Sequence, residues 1–295
     1  MTIEAVPRET ATSALSKLIQ RPRAAVYGFS AVAIVLAWLW LALLAAGLPA
    51  ERMDAVAVVL QNWLPSDWLG SELLRTLAAL CLPVASGSMV GTFAVSFAMW
   101  TAMSIAMMLP SALPMLRTYL DIGEAAREQG KSVVPPAFLA GGYLGVWLAV
   151  AFALAGLQTA LAVGFGADPT APLSTFAGAV VLLAAAAYQL SPLREACLEK
   201  CRNPFTVLFG NWSERRGDIV RLGVQQGLFC VGCCWALMSV MLVVGTMNLA
   251  WMALLTLVAV LEKTGDAKRT SLASAVVLGL WGTALLYAAA TSGAA

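Results

Sequence analysis

The chain has 295 residues, of which 60 % are hydrophobic and only 12 % are charged, whereas soluble domains carry roughly 25 % charged residues. The mean hydropathy of +0.82 indicates that lipid surrounds most of the chain, and the net charge of +2 is too small to indicate nucleic-acid binding. Histidine is absent, which excludes histidine-held haem, His-rich zinc sites and Ser-His-Asp triads within the chain. The 6 cysteines and 12 methionines remain as soft metal ligands, and such ligands suit Cu(I).

Apolar runs separated by polar segments predict an all-α fold, a polytopic transmembrane helix bundle with about seven spans. The first run exceeds the roughly 7–15 residues of a signal-peptide core, so we expect a retained anchor helix. The second run can continue through Pro110 and Pro114 towards a charged loop at 117–131. The sixth run is short for a bilayer, which needs about 20 residues. The runs cover residues 24–47, 86–109, 135–164, 174–190, 222–244, 249–261 and 271–290.

The basic residues predict the orientation of this bundle. Residues 1–23, 117–131, 191–221 and 263–269 contain four, three, six and three lysines and arginines, which is 16 of the 18 in the chain. Because Lys and Arg are enriched in cytoplasmic segments, we expect these four segments on the cytoplasmic side of the cell inner (plasma) membrane. The N-terminus is then cytoplasmic and the C-terminus external. The expected organisation is a cytoplasmic N-terminal segment, 1–23, followed by a single multi-span transmembrane domain, 24–295.

Three of the cysteines fall within five residues of the fifth predicted span, at Cys230, Cys233 and Cys234. Positions i, i+3 and i+4 lie on one face of a helix. Met238 and Met241 continue this face, so five sulfur side chains share an arc of roughly 140°. This concentration of soft donors predicts an intramembrane metal site, with the packing of small buried side chains as the alternative.

A second sulfur stripe is predicted on the second span, where Met99, Met103 and Met107 recur at i, i+4 and i+8. Counted at about 1.5 Å per residue from the cytoplasmic ends, Met107 and Met103 lie roughly 11 and 17 Å deep. Cys230 and Cys234 reach similar depths on their own span, roughly 12 and 18 Å. Met103 and Met107 are therefore candidate ligands from a second helix, although methionine stripes are also typical of core packing.

A further cysteine pair, Cys197 and Cys201, lies in the polar segment that follows the fourth span. The i, i+4 spacing places both thiols on one helical face and predicts a cytoplasmic site that receives or hands over a soft metal. Two unrelated cysteines are the alternative. Cys81 stands alone and is expected to pack in the core. Glu262, at the cytoplasmic edge of the sixth span, is either a functional carboxylate or the partner of a neighbouring base.

Several blocks of the sequence resemble a family, the predicted metal-binding integral membrane proteins of unknown function (domain of unknown function 2182). The resemblance covers about residues 86–263, and its cysteine blocks are more specific than its methionine blocks. It implies metal binding and no established activity. The blocks are Trp100-x2-Met103-x2-Ala106-Met107-Met108-x-Pro110, Tyr188-Gln189 with Pro192-Leu193, Cys197-Leu198-x2-Cys201-Arg202-x-Pro204, Cys230-x-Gly232-Cys233-Cys234-Trp235, Met238, Gly245-x-Met247-Asn248-x2-Trp251-Met252 and Glu262-Lys263.

The leading hypothesis is an integral membrane protein that binds a soft metal through these Cys and Met ligands for handling, insertion or transport. Copper is the expected metal and zinc the second choice. No catalytic or cofactor-binding residue is assigned. The expected partners are the lipid bilayer and a soluble metal carrier or other membrane-complex subunits, and no nucleic acid. Two alternatives stay open: an accessory subunit of a larger membrane complex with packed sulfurs, and a membrane thiol oxidoreductase that uses Cys230 and Cys233. A reducing cytoplasm argues against the second alternative.

Overall fold

The computed structural model describes residues 22–46, 89–165, 173–246 and 248–292, and within these ranges the chain is helical, with no strand. The helices, numbered here in chain order, are α1 Pro22–Ala46, α2 Met89–Glu128, α3 Pro136–Phe165, α4 Thr175–Gln189, α5 Pro192–Arg202, α6 Pro204–Gly210, α7 Arg216–Val244, α8 Leu249–Thr264 and α9 Ala267–Ser292.

The all-helical prediction is confirmed, whereas the predicted count of seven spans is not. Among the described helices, α1, α2, α3, α7 and α9 are each long and apolar enough to cross a membrane. The pair α4 and α5, bent by 64° between its helices, meets the same criterion when it is taken as one span, which makes six. With 16 residues, α8 is about 24 Å long, short of a hydrocarbon core of about 30 Å. The predicted N-terminal segment, 1–23, is outside the described residues except for its last two, and Cys81 is outside them altogether.

The predicted loop at 117–131 is wrong for most of its length, because α2 continues to Glu128 as a helix of 40 residues. Pro110 and Pro114 lie inside α2 without ending it. The segment after them contains alanine, glutamate and arginine, which favour helix, so nothing local stops the helix where it becomes polar. At about 1.5 Å per residue α2 is about 60 Å long, roughly twice the hydrocarbon thickness.

Polar contacts join the four predicted cytoplasmic segments to one another. Arg23 at the start of α1 pairs with Asp121 and Glu124 in the last part of α2, at 2.8 and 2.6 Å. Ser132, just before α3, donates to Glu214, just before α7. The third segment reaches the fourth through Arg194, which pairs with Glu262. These contacts place the four segments at one end of the bundle, as the basic-residue count requires, although they do not identify the cytoplasmic side.

The thiol-bearing helix α7 packs closely along α3 because glycines face each other at the crossing. A methyl group on Gly142 of α3 would collide with the Val220 carbonyl of α7, and one on Gly223 of α7 would collide with the Leu139 carbonyl. Small residues allow helix backbones to approach in this way in membrane proteins. The crossing fixes α3 against α7 within two turns of Cys230, and α5 packs against α7 further along, at Gly232 and Cys233.

Candidate metal centre

Helix α7 gathers three buried thiols into one cluster. Cys230, Cys233 and Cys234 are each at most 1 % exposed, and their sulfurs all lie within 4.8 Å of one another. Cys233 Sγ is 3.3 Å from Cys234 Sγ, and it donates to the Cys230 backbone carbonyl at 3.3 Å. Since a thiolate binds a metal such as zinc at about 2.3 Å, two sulfurs on one ion can be at most about 4.6 Å apart. The trio needs only small side-chain shifts to hold one soft ion.

A fourth thiol joins this cluster from α5. Cys201 is half-buried, and its Sγ lies 3.7 Å from that of Cys233. Cys197, also half-buried, lies one turn earlier and packs against Gly232, where a methyl group would lie 2.6 Å from its sulfur. The structure therefore brings Cys201 into the cluster on α7, which the sequence did not predict, and it places Cys197 against the backbone of that helix.

Cys230 has polar neighbours from two other helices, and each of these neighbours is also bound to α2. Lys263 of α8 donates from Nζ to Cys230 Sγ at 3.1 Å and to the Ser111 hydroxyl of α2 at 2.8 Å. The Tyr143 hydroxyl of α3 lies 3.1 Å from Cys230 Sγ and donates to the Met108 backbone carbonyl at 3.1 Å. Sequence reasoning missed all of these contacts to the thiol. The available signal was Lys263 itself, a basic residue in the last turn of an apolar helix.

The methionines predicted as ligands are buried in the core that contains the thiols. Met103 and Met107 of α2 are at most 1 % exposed, and Met238 and Met241 of α7 are at most 5 % exposed. The groups through which α2 reaches Cys230 are the Met108 carbonyl and the Ser111 hydroxyl, by way of Tyr143 and Lys263. The turn of α2 that follows Met107 therefore lies near Cys230, while the meeting of the two sulfur stripes and a ligand role for the methionine sulfurs stay predictions.

A buried ion pair lies beside the cluster. Arg194 Nη2 is 2.6 Å from Glu262 Oε2, and the two side chains are 2 % and 1 % exposed. Arg194 also donates to the Ser271 hydroxyl at 2.7 Å, while Gln189 donates to the other Glu262 oxygen at 3.5 Å. Glu262 therefore has a base from the third basic segment as its partner. Loss of either ion would leave an uncompensated buried charge, which typically costs about 3–5 kcal/mol.

The end of α4 is also fixed to the middle of α7 at the cluster. The Tyr188 hydroxyl donates to the Gly232 carbonyl at 2.7 Å, and its ring lies 4.8 Å from that of Trp235. Ser191 then caps α5 by accepting from the Arg194 amide, and Pro192 occupies the first turn. This local sequence makes the bend after α4 and directs α5 across α7, which brings Cys201 to Cys233.

Residues 97–285 match the model of a protein family, PpoB2, which is described as a copper chaperone. The match contains all five cysteines of the described residues and supports a copper-related family, without an assignment to domain of unknown function 2182. Neither the curated proteins nor the solved structures give a significant match. The family match and the buried cluster of Cys230, Cys233 and Cys234 fit copper handling. Since the match spans well over half of the chain, the protein belongs to the PpoB2 copper chaperone family.

Proposed function

We propose that this protein is a membrane-embedded copper chaperone that holds Cu(I) on Cys230, Cys233 and Cys234. The observation that carries the proposal is the trio of buried sulfurs within 4.8 Å of one another. Thiolates are soft donors that favour Cu(I), and the chain has no histidine to form a competing imidazole site. Membership of a copper chaperone family supports the same metal.

The remaining sulfurs have graded roles in this proposal. Met103 and Met107 are weaker, neutral ligands or lining groups, and Met238 and Met241 line the same stripe. Cys201 connects the buried ion to the surface of the bundle, where the metal is received or handed over. Cys197, one turn earlier on α5, belongs to the same surface site. The protein acts in the inner membrane with its basic end in the cytoplasm. It exchanges copper with a soluble carrier or with a subunit of a membrane complex.

The test is metal analysis of protein purified without oxygen, with copper and zinc measured per mole of chain. We expect copper in the wild type and its near-complete loss in Cys233→Ser, which removes one soft donor and nearly keeps the side-chain volume. Loss of an outer hydrogen-bond partner alone costs about 10- to 100-fold in metal affinity, so loss of a ligand should cost more than about 100-fold. Met103→Leu should weaken binding less, and Met238→Leu least.

Insertion and fold are checked by the yield of each variant in membranes and by its helical circular dichroism. Copper content in Cys233→Ser equal to that of the wild type would place the site elsewhere. A wild type without metal after purification in copper-supplied cells would contradict copper binding, and packed sulfurs or a redox dithiol would then be the better explanation.

A further inference from the structure

Lys263 is a buried cation at the thiol cluster. Its side chain is 8 % exposed and lies in the last turn of α8, where Nζ donates to Cys230 Sγ and to the Ser111 hydroxyl. The adjacent Glu262 carboxylate is paired with Arg194. Among the residues that the structure describes, no carboxylate lies within ion-pair distance of Lys263. The groups around its ammonium are thiols and hydroxyls.

A buried charge is costly unless an opposite charge lies close to it. Metal-bound cysteines are thiolates, so Cu(I) held by two of them forms a complex with a net charge of −1, and Cu(I) held by three has −2. Such a complex in the bundle interior needs a compensating cation. Lys263 places one positive charge 3.1 Å from a ligand sulfur, and its own charge needs such a partner.

We propose that Lys263 is the built-in counter-charge of the copper–thiolate complex, a charge-balancing residue that does not bind the metal. This inference rests on the proposed copper site. With Lys263 beside it, Cu(I) on the three proposed thiolates has a net charge of −1 as a whole instead of −2. A divalent ion on the same thiolates makes the complex one unit less negative, so the lysine ammonium attracts that complex less. Lys263 therefore favours a monovalent soft ion over a divalent one in this site.

The charge can be tested apart from the hydrogen bond and the fold by three substitutions. Lys263→Gln keeps an N–H donor and removes the charge, and Lys263→Arg keeps the charge in a different shape. Ser111→Ala removes the other hydrogen-bond partner and leaves the ammonium in place. Each purified variant is titrated with Cu(I) and, separately, with Zn(II) in competition with a chromogenic chelator at one fixed pH.

Removal of a nearby positive charge helps a divalent ion more than a monovalent one, because Coulomb energy scales with the charge of the ion. We expect the ratio of Zn(II) to Cu(I) affinity to rise at least about tenfold in Lys263→Gln. The ratio should return to within about threefold of the wild type in Lys263→Arg and should stay unchanged in Ser111→Ala. A merely structural role would weaken both ions alike and leave the ratio unchanged.

An unchanged ratio in Lys263→Gln, with the helical circular dichroism of the wild type, overturns the proposal. So does an equal rise of the ratio in Lys263→Arg. If Lys263→Gln does not insert, Lys263→Met is titrated in its place, with the same expected rise and the same contrary result. Failure of the wild type to bind Cu(I) contradicts the copper site itself and is recognised before any variant is compared.

Discussion

At the scale of single residues, Cys201 differs from the three cysteines of α7 because it is half-buried and they are fully buried. Its sulfur is nevertheless only 3.7 Å from that of Cys233. Metal moves between thiolates by exchange of ligands, so a partly exposed thiol in contact with a buried one gives a short path for an ion. Cys197 has a similar exposure but packs against Gly232. The two cysteines of α5 are therefore expected to differ in function.

We predict that Cys201→Ser keeps most of the bound copper but slows its transfer to a Cu(I) chelator about tenfold. The reason is that the buried trio still holds the ion, while the thiol that links it to the surface is gone. Stopped-flow measurement of the coloured chelate gives the rate. Cys197→Ser is the matched control from the same helix, and its rate should stay within about twofold of the wild type. A wild-type rate in Cys201→Ser, or loss of copper as complete as in Cys233→Ser, would contradict this role.

The sequence predicted the residues of the centre that lie on one helix and missed those that arrive from others. Helical periodicity places Cys230, Cys233 and Cys234 on one face whatever the rest of the fold does. The contact of Cys230 with Tyr143 and Lys263 depends on how three helices are shifted along one another, and no local pattern specifies that shift. The predicted depth match of the two sulfur stripes came from charge counting, which indicates the side of the membrane but did not locate the end of α2.

At the scale of helices, the apolar runs predicted where helices exist better than where they end. The predicted sixth span matches α8 within a few residues, because a turn and a glycine bound it. Helix α2 exceeds its run by nearly twenty residues, since a helix can leave the apolar layer without a change in its backbone. The 64° bend after α4 is associated with local features, a serine cap followed by proline, that were present in the sequence.

The close crossing of α3 and α7 gives a prediction with a neighbouring control. Gly142→Ala should destabilise the protein by about 1–3 kcal/mol, because its methyl group would collide with backbone atoms of α7 that cannot move independently. The apparent Tm in detergent should then fall by at least about 2 °C. Gly141→Ala has open space around the added methyl and should leave Tm within about 1 °C.

Tyr143 follows Gly142 directly, so separation of the two helices should also move its hydroxyl away from Cys230. Gly142→Ala should therefore bind copper more weakly than Gly141→Ala in the same titration. Equal Tm values for the two alanine variants would mean that the crossing is looser than the contacts indicate.

At the scale of the whole molecule, the thiol cluster lies near the end of the bundle that carries the basic residues. Helix α8 ends one residue after Lys263, and that side chain reaches Cys230. The pair of Arg194 and Glu262 lies at the same end of α8. The thiols therefore lie within the length of one lysine side chain of the polar end of α8. The depth of roughly 12 Å predicted for Cys230 was counted from Leu222, where the apolar run of α7 begins. The polar ends of α2 and α7 extend beyond this boundary.

The orientation of this end is the last prediction, and it follows from charge and helix length together. Two ion pairs, Arg23 with Glu124 and Arg194 with Glu262, hold basic segments together at one end of the bundle. Segments rich in Lys and Arg favour the cytoplasmic side. Helix α9 starts at that end, where Ser271 meets Arg194, and its 26 residues extend about 39 Å, enough to cross the hydrocarbon core. We therefore predict that the C-terminus is external.

Alkaline phosphatase, which is active only outside the cytoplasm, should be active when fused after Ala295 and inactive when fused after Lys131. A fluorescent protein that matures only in the cytoplasm should give the opposite pattern at the same two positions. Both fusions must be present at similar levels in membranes for the comparison to count. Cytoplasmic signal from both fusions would mean that α9 does not cross, and the thiols would stay at the cytoplasmic end. A full reversal of the pattern, with Lys131 external and Ala295 cytoplasmic, would place the thiols at the external end.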